Sequence, residues 1–315
     1  MDPEARKATL GLGCWAFGGG YWLNQQRDDS IRTLHAALRG GMRHFDTAQG
    51  YGKGLSEQLV GQQLKRFSKE IPREEYCLAT KLFLPKSPSD ILDSVQTSLR
   101  RLCTPYVDIL YVHWPDSTKD CRPYLQELGR MRALGLTRHI GVSNFTQPLL
   151  QQALDATEIS YCQIPLSLLW TRSLRNLAPL CATNGLRIVA YSPLGLGLLG
   201  GRYRNREDLD RQDLRRRLFP FDAQYVETFH SLLHALEQTA LEYATDMATV
   251  ALAWVLAQPV DTVLTGARTK TQLEHSFEAS QFRADPSTWS MVEAVALEFD
   301  RAVPVEIDNI FFHHW

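Results

Sequence analysis

Residues 107–113 read Val-Asp-Ile-Leu-Tyr-Val-His, a short β-rich run that stops on a titratable side chain. Before it, residues 89–102 open on a serine and carry apolar residues three and four apart, the period of an amphipathic helix. Behind it, residues 124–134 repeat that period. A strand between two helices, ending on a histidine, is one unit of an alternation that runs along the chain. Further strands are expected at 10–15, 42–46, 76–81, 137–143, 161–164, 187–192 and 261–266, and further helices at 28–39, 56–67, 148–156, 173–183 and 247–257. Eight strands alternating with helices predict a parallel sheet of the α/β class with crossover helices. Count and length fit a closed (β/α)8 TIM barrel. A doubly wound open sheet is the alternative, because periodicity does not count closure. No Pro/Gly/Ser-rich linker or shift of composition divides the chain, so residues 1–315 read as one domain.

Two segments lie outside the alternation. Residues 195–221 are too long for a simple strand-to-helix loop, which by itself suggests a function. This loop after strand seven holds seven arginines (Arg202, Arg204, Arg206, Arg211, Arg215, Arg216, Arg217) against four acids. It reads equally as a solvated lid or a phosphate-gripping one. The C-terminal tail, 302–315, ends in Phe-Phe-His-His-Trp and is expected to dock.

Composition sets bounds. The 315 residues carry 34 basic and 35 acidic side chains, net −1, with 44% hydrophobic and 22% charged residues. That excludes wholesale disorder and argues against nucleic-acid binding, which needs a basic excess. No apolar run is long enough for a membrane span. The N-terminal Met-Asp-Pro-Glu-Ala-Arg-Lys does not read as a secretory signal. Six dispersed cysteines without a Cys-x-x-Cys pair fit reduced thiols, and a cytoplasmic location is expected.

In a barrel, chemistry gathers where strands end. Those ends are Asp46, Lys81, His113, Ser143-Asn144, Gln163, Tyr191-Ser192 and Gly266. Singly each is a satisfied polar group; jointly they converge on one face. Asp46, Tyr51, Lys81 and His113 make a proton-delivery set. A phenol donates poorly at neutral pH, and an ammonium nearby favours the phenolate and lowers its pKa. A carboxylate keeps the ammonium charged and in place, and an imidazole orients a carbonyl oxygen. None of the four supplies hydride, so an organic cofactor must.

These residues carry a family resemblance. Gly41-Met-Arg-His-Phe-Asp46-Thr-Ala-Gln-Gly-Tyr51-Gly-Lys-Gly-Leu-Ser-Glu57, with Gly61 following, resembles the first signature of the aldo-keto reductases. Val107-Asp-Ile-Leu-Tyr-Val-His113-Trp-Pro-Asp116, Gly141-Val-Ser-Asn-Phe145, Ala190-Tyr-Ser-Pro-Leu-Gly195 and Gly266-Ala-Arg-Thr-Lys-Thr-Gln-Leu-Glu274 are similar to four further blocks, in family order. The resemblance implies a (β/α)8 barrel that binds a nicotinamide cofactor in extended form and reduces a small-molecule carbonyl, an aldehyde or ketone, to an alcohol. It makes Tyr51 the proton donor, tuned by Lys81 and Asp46, with His113 orienting the carbonyl. Gly13, Cys14 and Trp15 would floor the nicotinamide site, beside Asp46. Ser143, Asn144 and Gln163 would hold the carboxamide, and Tyr191 would stack on the ring. Ser192, Pro193, Leu194 and Gly195 would follow the pyrophosphate, under the long loop. Gly266, Arg268 and Gln272 would serve the adenosine end, where an arginine suits a 2′-phosphate and favours NADP(H) over NAD(H). Trp15 and Trp114, with Tyr21 or Trp22 and the tail at 311–315, would line an aromatic substrate site. His275-Ser276 stands where the family usually has Glu-Asn, and Gly200-Gly201 where Thr-Gly is common.

Other readings compete. Gly11-Leu-Gly13-Cys-Trp-Ala16 matches a dinucleotide fingerprint, but Phe-Gly-Gly-Gly-Tyr-Trp follows and cannot open the required helix. His230 and His234 lie four apart on a helix without a third ligand, and His313-His314 is too short for a metal tract. Lys81 could form a Schiff base in an aldolase, which Asp46 opposes by holding the amine protonated. A cofactor-binding regulatory or redox-sensing subunit is a third reading, disfavoured by the intact tetrad.

Overall fold

The computed structural model describes residues 8–116 and 118–304. Eight parallel strands form a closed barrel: β1 (Thr9–Gly13), β2 (His44–Asp46), β3 (Cys77–Leu82), β4 (Val107–Val112), β5 (Thr137–Ser143), β6 (Tyr161–Pro165), β7 (Arg187–Tyr191) and β8 (Thr262–Thr265). Closure is direct, with β1 pairing β8 from Thr9 opposite Thr262 to Leu12 opposite Thr265. The open-sheet alternative is thereby excluded. Helices α1 (Arg27–Arg39), α2 (Leu55–Arg66), α3 (Ile91–Leu102), α4 (Arg122–Ala133), α5 (Gln147–Ala156) and α6 (Arg172–Thr183) return the chain between successive strands. After β7 come α7 (Val226–Glu242) and α8 (Met247–Leu256), and after β8 come α9 (Lys270–Gln281) and α10 (Pro286–Ala302).

The strands are buried on both faces, as parallel barrels require. Their inner faces meet in a cluster of Ala79, Ile109, Tyr111, Tyr161, Val189 and Leu264. Outward side chains such as Leu78, Leu110, Val142 and Ile188 join the layer between barrel and helices. Alternation therefore puts Asp46 and Lys81 inside with Ala79 and Tyr111, in a register that pairs Asp46 with Ala79 and Lys81 with Tyr111.

Departures from the expected elements have local causes. The segment after β7 is built of short 3-10 turns at Gly195–Gly200, Arg206–Asp208, Leu214–Arg217 and Phe219–Phe221. Arg206–Asp222 and Arg215–Asp213 ion pairs brace it internally, and Arg204–Glu237 and buried Phe219 tie it down. α10 has no counterpart among the expected helices, although Val292, Ala296 and Phe299 give it a buried stripe at helical spacing. Gly11 and Gly13 lie within β1 and a 3-10 turn at Trp15–Gly18 follows, so the dinucleotide-fingerprint match is a coincidence of spacing. His230 bonds the Arg204 carbonyl at 2.9 Å, and no group of metal-binding side chains occurs among the described residues. The tail at 311–315, including His313-His314, lies outside the described residues. Among those described, no helix is long and apolar enough to cross a membrane.

Candidate active site

At the C-terminal ends of the strands a cavity of about 590 Å³ opens, a volume typical of ligand sites. One end of it is organised around Lys81, 1% exposed on β3. An ammonium has three N–H donors, and here each has an acceptor. One goes to Asp46 Oδ1, one to the Thr47 carbonyl at 3.0 Å and one to the Tyr51 phenolic oxygen at 3.3 Å. Asp46 is itself held, since its Oδ2 accepts from Gln163 Nε2 at 2.9 Å. Three strands thus converge on one carboxylate–ammonium pair.

Tyr51 comes from no strand. It opens a 3-10 turn after β2, and main-chain contact fixes that turn. Gly52 has φ +59°, and a Cβ there would lie 2.0 Å from the Gly18 carbonyl oxygen. A Cβ on Gly18 would reciprocally meet the Tyr51 carbonyl carbon at 2.5 Å. Only glycines permit this approach. His113, at the end of β4, meets the Tyr51 ring edge-on at 5.5 Å between centroids. Its Nδ1 is buried without a hydrogen-bond partner. Asn144 donates to the His113 carbonyl at 2.9 Å and accepts from the Tyr191 hydroxyl at 2.6 Å. Asn144 and Ser192 both adopt left-handed backbone (φ +63° and +55°), an uncommon conformation that clusters at functional sites.

The electrostatics correct one expectation. Burial outweighs Lys81: it pushes the Tyr51 phenol well above 10, and Asp46 and Cys14 add to the rise. Burial also lowers Lys81, against the pull of Asp46. The buried phenol therefore stays protonated. His113 is held well below its usual value of 6.5 by burial and by Lys81, so its imidazole is neutral. His44, beneath the pair, is lowered for the same first reason.

A stability consequence follows. Both histidines bind a proton in the unfolded chain before they do in the native one. Stability is therefore lost as pH falls through the unfolded value near 6.5 and is fully present above it. His113→Asn should flatten the fall in Tm between pH 7 and pH 5 relative to wild type. An unchanged slope in thermal melts across that range would refute the assignment.

Most of the residues expected at the site line the cavity: Gly13, Trp15, Asp46, Tyr51, His113, Trp114, Ser143, Asn144, Gln163, Tyr191, Ser192, Pro193, Leu194, Gly266, Arg268 and Gln272. Lys81 acts from behind the wall. Cys14 and Gly195 do not line it. The Cys14 thiol is fully buried and bonds the Leu12 carbonyl, and Gly195 (φ +53°) points its missing Cβ at Leu169. Tyr21 and Trp22 both border the cavity. His275 and Ser276 both line the wall, and Ser276 is hydrogen-bonded to Thr265 at 2.9 Å. Sequence reading missed Phe83 and Tyr203, and named Arg202 and Arg215 only as members of the arginine run. Phe83 stands two residues beyond Lys81, and strand alternation pointed to it. Nothing in the arginine run distinguished Arg215, which sits 5.8 Å from the Trp22 ring centre. Arg268 approaches that ring at 5.7 Å, donates to Gln25 Oε1 at 2.9 Å and also bonds the Leu23 carbonyl.

Residues 9–297 match the aldo/keto reductase family, and the chain belongs to it. It is 31% identical over 284 residues to aldo-keto reductase YhdN of Bacillus subtilis (strain 168), covering 87% of this chain and 85% of that protein. It is 29% identical over 319 residues to the NADH-specific methylglyoxal reductase of Escherichia coli (strain K12), covering 93% and 96%. The structure of the glycerol dehydrogenase AKR11B4 from Gluconobacter oxydans superposes with a TM-score of 0.81 at 28% identity, covering 94% of this chain and 93% of that one. Family and fold together make the chain an oxidoreductase of carbonyl compounds that uses a nicotinamide cofactor. The aldolase and regulatory-subunit readings are not favoured. An ammonium with three acceptors, one of them a carboxylate, has no lone pair to offer a carbonyl.

Proposed function

We propose that the protein is an NADPH-dependent reductase of aldehydes or ketones in which Tyr51 donates the proton. The observation that carries this reading is the three-acceptor Lys81, whose third N–H points at the phenolic oxygen. Bound NADPH would supply hydride to the carbonyl carbon. The residues present fit such a cofactor. The cavity runs from Tyr51 to Arg268, Gln163, Ser143 and Asn144 offer amide and hydroxyl partners at one end, and Arg202, Arg215, Arg268 and His275 line the other.

The chain's own groups then do the following. Neutral His113 donates a hydrogen bond to the carbonyl oxygen and orients it. Tyr51 keeps its proton until that oxygen gains negative charge, then releases it to the oxygen. The phenolate left behind accepts from Lys81, and Asp46 keeps Lys81 an ammonium throughout. Trp15, Phe83 and Trp114 beside Tyr51 or His113 give this end apolar, planar walls suited to an apolar carbonyl compound. Six free thiols support a cytoplasmic location.

The family alone does not choose between NADPH and NADH, since the E. coli relative is named NADH-specific. The lining supports NADPH. Among the described residues Asp46 is the only carboxylate on the cavity wall, at the catalytic end, and the two acids whose charge reaches Arg268, Asp213 and Asp29, are paired with Arg215 and Arg32. Arg268→Ala should weaken NADPH binding about tenfold to a hundredfold more than NADH binding, the value of a charge-assisted hydrogen bond. Fluorescence titration with each cofactor measures the two losses. Equal losses would sink the preference for NADPH.

A further inference from the structure

Ser56 and Glu57 are consecutive residues in the first turn of α2, and both are fully buried. Neither lines the cavity. Ser56 Oγ donates to the Cys14 carbonyl at 2.7 Å and accepts from Thr47 Oγ1 at 2.8 Å. Thr47 directly follows Asp46, and its carbonyl is the second acceptor of Lys81. Glu57 Oε1 accepts from Thr80 Oγ1 at 2.7 Å, while its Oε2 pairs with Arg101 at 3.1 Å. Thr80 directly precedes Lys81 and is 1% exposed. One helical turn thus grips the residue after the carboxylate and the residue before the ammonium, on adjacent strands.

Packing a helix on a barrel does not need this. A buried carboxylate costs desolvation that leucine would not, so a buried ion pair is weak evidence of a stabilising role. What the network adds is geometric. Thr47 presents its carbonyl to Lys81, so any swing of that peptide moves one of the three acceptors that aim the ammonium. Thr80, bonded on the outer face of β3, resists rotation of the strand that carries Lys81 inward. α2 is itself seated closely, because a Cβ on Gly61 would lie 2.4 Å from the Leu102 backbone at the end of α3, next to Arg101.

We propose that Ser56 and Glu57 are positioning residues for the Asp46–Lys81 pair, acting through Thr47 and Thr80 to aim Lys81 at Tyr51. The inference rests on the assignment of Tyr51 and Lys81 to proton delivery. The test uses the full chain with NADPH and benzaldehyde as the carbonyl probe. Ser56→Ala and Thr80→Val should each lower kcat by about tenfold or more, as misplacement of a catalytic group does, with KM for benzaldehyde and Kd for NADPH within about twofold of wild type. Thr80→Val is nearly isosteric and leaves Glu57 paired with Arg101, so it carries the test if loss of the Ser56 hydroxyl prevents folding.

A double-mutant cycle separates aiming from general damage. In a Lys81→Met background there is no ammonium to aim, so Ser56→Ala and Thr80→Val should cost less than about twofold there. The same factor with and without Lys81 would overturn the proposal, as would folded single variants with wild-type kcat. If Lys81→Met and Tyr51→Phe are themselves fully active, the reading of the site fails instead, and the two failures are told apart by the parent variants alone.

Discussion

Tyr51→Phe should lower kcat for carbonyl reduction by about 10²- to 10⁴-fold, the usual contribution of a positioned general acid, while NADPH binding changes by less than about twofold. The substitution removes one oxygen and one proton. The ring keeps its seat, because the turn is held by the main-chain contact between Gly18 and Gly52 and not by the hydroxyl. No neighbour can take over. His113 is neutral with its titration held well below 6.5, and the Lys81 ammonium is already shared among its acceptors. Steady-state rates with NADPH and an aldehyde, beside a fluorescence titration of the cofactor, measure both effects. A variant with near wild-type turnover would show that the proton comes from elsewhere. Because burial raises the phenol, the wild-type rate should also show no alkaline loss from Tyr51 around neutral pH.

Lys81→Met should damage stability as well as catalysis. Removing one member of a buried ion pair leaves the other charge desolvated, which costs about 3–5 kcal/mol. Here the orphan would be Asp46, 2% exposed and left with the single hydrogen bond from Gln163. Pairing the change with Asp46→Asn removes that charge. The double variant should regain most of the lost stability in a denaturant titration and none of the lost activity. Catalysis and stability would then separate within one pair of side chains. Equal stability of the single variant and the wild type would mean that the pair is not held as a buried charge couple.

Much of this arrangement was legible in the primary structure. Strand ends near Asp46, Lys81 and His113 could be read because each closes a short β-rich run that is mostly apolar, so a titratable residue there marks the edge. The barrel could be counted for the same reason, although closure needed the pairing of β1 with β8. Three matters were not legible. The direction of the Tyr51 shift depends on how far burial outweighs one ammonium, and that is a property of packing. The family resemblance places Cys14 in the floor of the site, yet its thiol turns away to the Leu12 carbonyl. Arg215 reaches the cavity only because a chain of 3-10 turns folds the loop back over Trp22, and one-turn helices leave no periodicity to read.

The seat of Tyr51 has a consequence for how such a protein can diversify. The phenol's position depends on two backbones touching, whereas Tyr21, Phe83 and Trp114 on the same cavity wall are ordinary side chains, two of them exposed. Exchanging those rings reshapes the opening without shifting the acid. Replacing either glycine would displace the acid whatever the opening looks like. Tolerance to substitution should therefore be lopsided: wide among the bulky aromatic neighbours and nearly absent at two of the smallest residues in the chain.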